Sequence, residues 1–225
     1  GVRAGDVKYF DYNEDGDISD ADRMNVGKAI PDFYGGITSN FSYKGFDLSL
    51  FGQFSVGGKV MSAWRGVNGS EGTDHLGLAL SNVKVNDRGE SVEQYFNVSK
   101  EVANGYWRGE GTSNTIPRPV RIGVHTGYDY DYNVQTSTRY LEDASYFKLK
   151  TVTLGYTLPE SVVKKLRVNS LRVYVSADNL LTLTKYSGYD PETSFSGSPG
   201  DSNYGVDFGL QPVLRTFIFG LNLNF

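Results

Sequence analysis

Long runs of period-two alternation constrain this chain more than any other feature. Over residues 46–56, Phe46, Leu48, Leu50, Gly52, Phe54 and Val56 fall on one side, and Asp47, Ser49, Phe51, Gln53 and Ser55 on the other. Successive side chains of a strand point to opposite faces, so this spacing predicts a strand with one apolar and one polar face. Ile37, Ser39, Phe41 and Tyr43 alternate ahead of it, up to a turn at Lys44-Gly45. Leu171, Val173, Val175 and Ala177 oppose Arg172, Tyr174, Ser176 and Asp178. At the end of the chain Phe217, Phe219, Leu221, Leu223 and Phe225 oppose Thr216, Ile218, Gly220, Asn222 and Asn224. A fifth strand reads over 145–156, and its change of phase at Lys150-Thr151 predicts a β-bulge. Several of these strands reach about 10 to 12 residues, whereas sandwich strands run to about 5–6 and membrane-spanning strands need about 9–11.

The connections are lopsided. They are short at 44–45 and 157–169 but long at about 59–142 and 184–212. Outer-membrane barrels combine short periplasmic turns with long extracellular loops, and they place lipid on one strand face and water on the other. A hydrophobic fraction of 39% suits such a wall, because half of each strand faces water; aromatics at 14% suit its lipid face and rims. The expected fold class is therefore all-β, the strands of a large antiparallel transmembrane β-barrel with long extracellular loops. Five strands do not close a barrel, since an open edge in lipid leaves backbone groups without partners. A start at Gly1-Val2-Arg3 without a leader pattern likewise reads as a mature or internal start, so the chain is expected to be a piece of something larger. With the long loops outside, the residues before the first strand pair lie on the extracellular side.

Charge is concentrated in one place. Residues 1–25 hold seven acids against three bases, while the remainder carries nineteen of each, so no basic footprint for nucleic acid exists. Within the cluster, Asp11-Tyr-Asn13-Glu-Asp15-Gly16-Asp17-Ile18-Ser19-Asp20-Ala-Asp22 fits the calcium-loop pattern D-x-[DN]-x-[DN]-G with an acid at position twelve. Oxygens of Asp11, Asn13 and Asp15 would converge on a hard cation, Asp17 would add its carbonyl, and Gly16 would permit the turn. Asp22 is shorter than the usual Glu at the twelfth position, and Ile18 is expected to point inward and anchor the loop. The expected ion is a structural Ca2+, with Mg2+ as the alternative. A solvated Asp/Asn/Gly turn is the plain reading of the same residues. Residues 5–10 alternate like a strand, and Pro31 closes any helix after the loop early, so the flanks depart from a helix–loop–helix calcium site.

Catalysis finds little support. Cysteine is absent, the two histidines stand apart at His75 and His125, and no nucleophile elbow, zinc helix or phosphate loop occurs. Trp64, Tyr106 and Trp107 either stack on sugar rings or pack a loop, and Tyr128, Tyr130 and Tyr132 alternate with Asp129 and Asp131 as a rim or a ligand surface. Asp190-Pro191-Glu192 reads as a loop-folding turn, and Lys164, Lys165 and Arg167 as a solvated periplasmic turn.

Gly5-Asp6-Val7-Lys8-Tyr9 with the acidic loop, Ile30 to Gly36, Ile116-Pro117-Arg118 and 145–150 together resemble the SusC/RagA-like TonB-dependent transporters. Val175 to Leu180, Tyr186 to Glu192 and the ending Arg215 to Phe225 extend the resemblance in the same order. The stretch at about 66–110 matches nothing in that family pattern. The resemblance implies a carboxy-terminal segment of a barrel of about 22 strands, with the plug domain and earlier strands outside this chain. Residues 1–33 would then form an extracellular segment with the metal loop, and 34–225 the last barrel strands. It also implies a SusD-like surface lipoprotein as a lid, the TonB complex as energy source, outer-membrane lipids around the wall, and an oligosaccharide or peptide as cargo. The metal positions carry over as Asp11, Asn13, Asp15, Asp17 and Asp22. A secreted, calcium-stapled carbohydrate-binding β-sandwich is the alternative, and a passive porin or adhesin on the same barrel a weaker one.

Overall fold

The computed structural model describes residues 2–65, 79–85, 88, 90–95, 100–122, 133, 135–192 and 204–225. In chain order the elements are β1 (Phe33–Tyr43), β2 (Phe46–Val56), β3 (Lys59–Ser62), β4 (Ala79–Val85), β5 (Ser91–Tyr95) and the short helix α1 (Lys100–Gly105). They continue with β6 (Val120–Ile122), β7 (Leu141–Asp143), β8 (Tyr146–Thr157), α2 (Glu160–Leu166), β9 (Ser170–Thr184), β10 (Val206–Asp207) and β11 (Thr216–Asn224). His75, His125, Tyr128, Asp129, Tyr130, Asp131 and Tyr132 lie outside the described residues. The chain divides into two compact units, one of residues 1–27, 61–141 and 206–209 and one of 28–60, 142–205 and 210–225.

The second unit is built on one antiparallel five-stranded sheet in the order β1-β2-β8-β9-β11. Its five strands are those the alternation predicts, and they run from 9 to 15 residues. The register matters more than the count. Phe41 pairs with Leu48, Leu48 with Leu154, Leu154 with Val175, and Val175 with Phe219. Tyr43, Phe46, Tyr156, Val173 and Leu221 form the next row in the same way. Every apolar set therefore lands on one face, as it must, because a slip of one residue would turn a whole strand over. That face is left open: Phe219 is 81% exposed, Leu221 60% and Phe41 59%. A β-sandwich would cover such a face with a second sheet, and among the described residues of this unit these side chains stay exposed.

The opposite face is polar and cross-linked. Ser49, Thr153 and Ser176 stand in one row, with the Thr153 and Ser176 hydroxyls 2.8 Å apart. The Thr151 hydroxyl donates to Asp178 at 3.1 Å, and Gln53 donates to the Tyr146 hydroxyl at 3.1 Å. Arg172 of β9 reaches over Gly155 of β8 to Asp47 of β2, donating through Nε at 2.9 Å and Nη2 at 2.5 Å. A Cβ at position 155 would fall against the guanidinium and push Arg172 aside.

The bulge falls where the phase change predicts it. Pairing of β8 with both neighbours skips Lys150, and the step is absorbed on β9 near Asn179, whose φ is 52°. Asparagine tolerates this left-handed backbone, and its Nδ2 donates to the Leu214 carbonyl at 3.1 Å. Connections segregate by end. The β1–β2 turn has Lys44 at φ 47° and Gly45 at φ 86°, the two positive values that a two-residue type I′ hairpin requires. The segment holding α2 returns to the same end, where Thr157 pairs with Arg172 and Asn224 with Ser170. Both long connections leave from the other end. Within them the described residues form β3 to β7 and β10, short strands that the sequence reading treats as loop.

The strand edges of the large sheet are open. Among the described residues β1 and β11 each have one neighbour only, so the sheet is a wall with two unpaired edges. In the first unit β4 pairs antiparallel with β5 and parallel with β6, and Val102, Ile116 and Val120 make a small core.

Candidate functional site

The acidic loop 11–22 is the site the sequence singles out, and its position is set by what precedes it. Residues 5–10, which read as a strand, join no sheet among the described residues. They are held instead by the Arg118 N–H, which donates to the Gly5 carbonyl at 2.8 Å, and by the Val7 N–H, which donates to Asn133 Oδ1 at 2.9 Å. The Asp6 side chain, 3% exposed, takes Arg118 Nε at 2.6 Å and Asn133 Nδ2 at 2.9 Å. Burial pushes the Asp6 carboxyl up, but the Arg3 N–H, Arg118 and Asn133 outweigh it and hold it below the usual carboxylate range. A side chain at Gly5 would overlap the Trp107 ring, and Tyr106 packs on the Val102–Ile116–Val120 core. Of the two readings for Tyr106 and Trp107, the structure therefore supports loop packing.

The loop itself is knitted by its own carboxylates. The Gly16 N–H donates to Asp11 Oδ2 at 2.8 Å, and the Asp17 N–H donates to Asp15 Oδ1 at 2.9 Å. Asn13 Nδ2 donates to Asp15 Oδ2 at 2.7 Å, and Gly16 takes the positive φ of 86° that a sharp turn there requires. Asp22 closes the loop. Its Oδ1 accepts the Tyr12 N–H at 2.8 Å and its Oδ2 accepts the Ser19 N–H at 2.7 Å. The Ser19 N–H, with the backbone of Tyr12 and Asn13, holds the Asp22 carboxyl below its ordinary range. Asp22 and Ser19 together cap a single 3-10 turn over Asp20–Asp22.

Asp11, Asn13, Asp15 and Asp22 thus share one hydrogen-bonded loop, whereas Asp17 contributes only backbone to it. Asp11 Oδ1 is shielded from solvent and has no hydrogen-bond partner among the described residues. A buried carboxylate oxygen left over in this way fits a hard cation, and the donors are the oxygens such an ion takes. The same loop shows no finished cage, for no three acidic or histidine side chains among the described residues converge as metal ligands. Ile18 corrects an expectation: it is 40% exposed rather than buried as an inward anchor. The loop is too short of helix on either side to bury it, so the carboxylate–backbone bonds do the anchoring.

On the large sheet, Asp190-Pro191-Glu192 is more than a turn. The Glu192 N–H does donate to Asp190 Oδ1 at 2.9 Å, as a loop-folding turn requires, but both acids also meet lysines of β8. Burial raises the Glu192 carboxyl, and hydrogen bonds from Lys148 and Lys150 outweigh this and bring it below its usual range. Nothing in the sequence near residue 148 points to a partner about forty residues away. Lys164 lies exposed on α2, paired with Glu160 at 2.9 Å, and Arg167 caps that helix with φ 58°, so this basic turn is solvated as expected.

Comparison with known proteins places the whole chain. It is 34% identical over 221 residues to TonB-dependent receptor P3 of Formosa agariphila, covering 96% of this chain and 19% of that receptor. It is 26% identical over 219 residues to the TonB-dependent receptor SusC of Bacteroides thetaiotaomicron, covering 96% of the chain and 17% of SusC. Among solved structures, the RagAB peptide transporter superposes with a TM-score of 0.61 at 23% identity, covering 88% of this chain and 18% of that one. The chain thus spans about a fifth of the length of the curated relatives it matches. No protein-family model matches it.

Proposed function

We propose that this chain, similar over nearly all its length to SusC/RagA-like TonB-dependent receptors, forms part of the barrel wall of an outer-membrane transporter. One observation carries the reading: the register of five consecutive sheet neighbours puts every apolar set on one open face and the hydrogen-bonded polar set on the other. Lipid would cover the first face and the wet lumen the second. The two unpaired strand edges would be met by the remaining strands of the same barrel, since no open edge survives in lipid. Residues 34–225 would be wall and outer loops, and residues 1–33 an extracellular segment.

In this reading the whole protein imports a large nutrient, an oligosaccharide or a peptide, with energy from the TonB complex and a SusD-like lipoprotein closing the outer mouth. The relatives support transport rather than catalysis, because they are named as receptors and transporters. The loop 11–22 holds a structural Ca2+ through Asp11, Asn13, Asp15, the Asp17 carbonyl and Asp22, supported by the partnerless Asp11 oxygen. Calcium here fixes loop geometry and does no chemistry.

The test uses the whole transporter as the sole uptake route in cells offered either a pool of oligosaccharides or a pool of peptides too large for porins. Growth on one pool that is lost when TonB is deleted agrees with the reading. Growth that survives TonB deletion would point to a passive pore and refute it.

A further inference from the structure

The lysines of β8 and the acids after β9 form a buried charge cluster on the polar face of the large sheet, apart from the acidic loop 11–22. Lys148 of β8 is 1% exposed, and its Nζ donates to Asp190 Oδ1 at 2.5 Å and to Glu192 Oε2 at 2.8 Å. Lys150, the bulge residue, donates to both Glu192 oxygens, at 3.0 and 2.8 Å. Residues two apart on a strand share a face, so both lysines point to the polar side, and the bulge lets Thr151 join them there. The acceptors belong to the connection that follows β9. Asp190 Oδ2 also accepts the Val213 N–H at 3.4 Å, so this one carboxylate gathers the start and the end of the β9–β11 connection onto β8. Pro191 beside it is fully buried, and Ser187 is tied through its N–H and hydroxyl to Glu142, both at 2.8 Å.

Two positive and two negative groups balance here. Lifting the segment away would break four charge-assisted hydrogen bonds at once and part Lys148 from both of its counter-ions, which costs more than losing a single surface pair. A lid that opens would be fastened differently, by exposed and separable contacts.

We infer that Lys148 and Lys150 with Asp190 and Glu192 form a permanent electrostatic pin that holds residues 186–192 against the polar face of the wall as a fixed lining of the lumen. That the lined space is a lumen rests on the transporter function proposed above; the pin rests on the ion pairs alone. Lys148, Lys150, Asp190 and Glu192 are positioning residues, for they set where the segment lies and need touch no cargo.

Limited chymotrypsin digestion of the whole protein in detergent micelles tests it, followed at Tyr186 and Tyr189. Lys148→Met is expected to raise cleavage there at least about tenfold, the scale set by stranding a buried charge. Glu192→Gln, which keeps the shape and removes the charge, gives a smaller rise and serves where Lys148→Met does not fold. Folded variants cleaved at the parent rate would overturn the pin. A rise shared equally by the Lys44–Gly45 hairpin would also overturn it, since that would be general loosening. Recovery of the parent protein in the soluble fraction without detergent would sink the transporter reading alone, and the cleavage ratio would still decide the pin.

Discussion

Replacing Leu221 with arginine should be far more damaging than replacing its neighbour Asn222. β11 spans Thr216–Asn224, and Leu221 lies one residue from its midpoint at Gly220. With a rise of about 3.3 Å per residue and a tilt of about 40°, each residue climbs about 2.5 Å along the membrane normal. Leu221 then sits within about 3 Å of the middle of the strand, close to the bilayer midplane. Its side chain is 60% exposed on the face shared with Val173, so nothing in the sheet shelters a charge there. Arginine at the midplane on the lipid face costs about 2–4 kcal/mol. Asn222 pairs with Arg172 at nearly the same depth but on the polar face, so Asn222→Arg meets water rather than lipid and should cost at most about 1 kcal/mol, from repulsion by Arg172 across the strand pair. Urea unfolding of the whole protein reconstituted in lipid vesicles gives both numbers against the parent. Equal costs, or a larger cost at 222, would refute the assignment of the two faces.

Three further outcomes follow from particular contacts. Gly155→Val forces the Arg172 guanidinium off Asp47 and should cost about 1–3 kcal/mol in the same urea assay, with a smaller cost in an Arg172→Ala background where the overlap is gone. Asp6 has its carboxyl held down in the fold, so the stability it contributes is complete above its unfolded value near 3.8 and is lost as pH falls through the lower folded value. Protease protection of residues 1–10 should therefore persist at pH 5 and disappear in stronger acid, and the Asp6→Asn variant should be weakly protected with no such pH dependence. Added Ca2+ should slow proteolysis within residues 1–25 of the parent, chelation should reverse it, and Asp11→Ala should abolish the effect; identical digestion with and without calcium would remove the ion from the account.

Much of the wall was legible because strand periodicity is a local signal. The faces of β2, β9 and β11 follow from alternation alone, and the bulge at Lys150 shows as a phase change without any knowledge of the partner strands. The wider β8 is legible for the same reason. What stayed hidden depends on distance along the chain. Lys148 reads as an ordinary polar-face residue, and only the fold brings Asp190 and Glu192 to it. The short strands β3 to β7 and β10 have two to seven residues, too few for a period to declare itself. The acidic loop is legible as a pattern, yet the pattern misplaces Ile18, because it assumes flanking helices that Val7 to Phe10 and Pro31 do not supply. Sequence alone leaves Trp107 and Tyr106 between ligand and packing, because the residues against them, Gly5 and Ile116, come from other points of the chain.

The central claim is that one face of this sheet meets lipid and the other meets water, and spin labels along β2 test it most directly. The chain has no cysteine, so single cysteines introduced at 46–56 of the whole protein in lipid vesicles each report one position. Collision with oxygen should dominate at the even positions from Phe46 to Val56, and collision with a water-soluble nickel chelate at the odd positions from Asp47 to Ser55. A flat profile, or one with the two faces exchanged, would contradict the barrel wall outright.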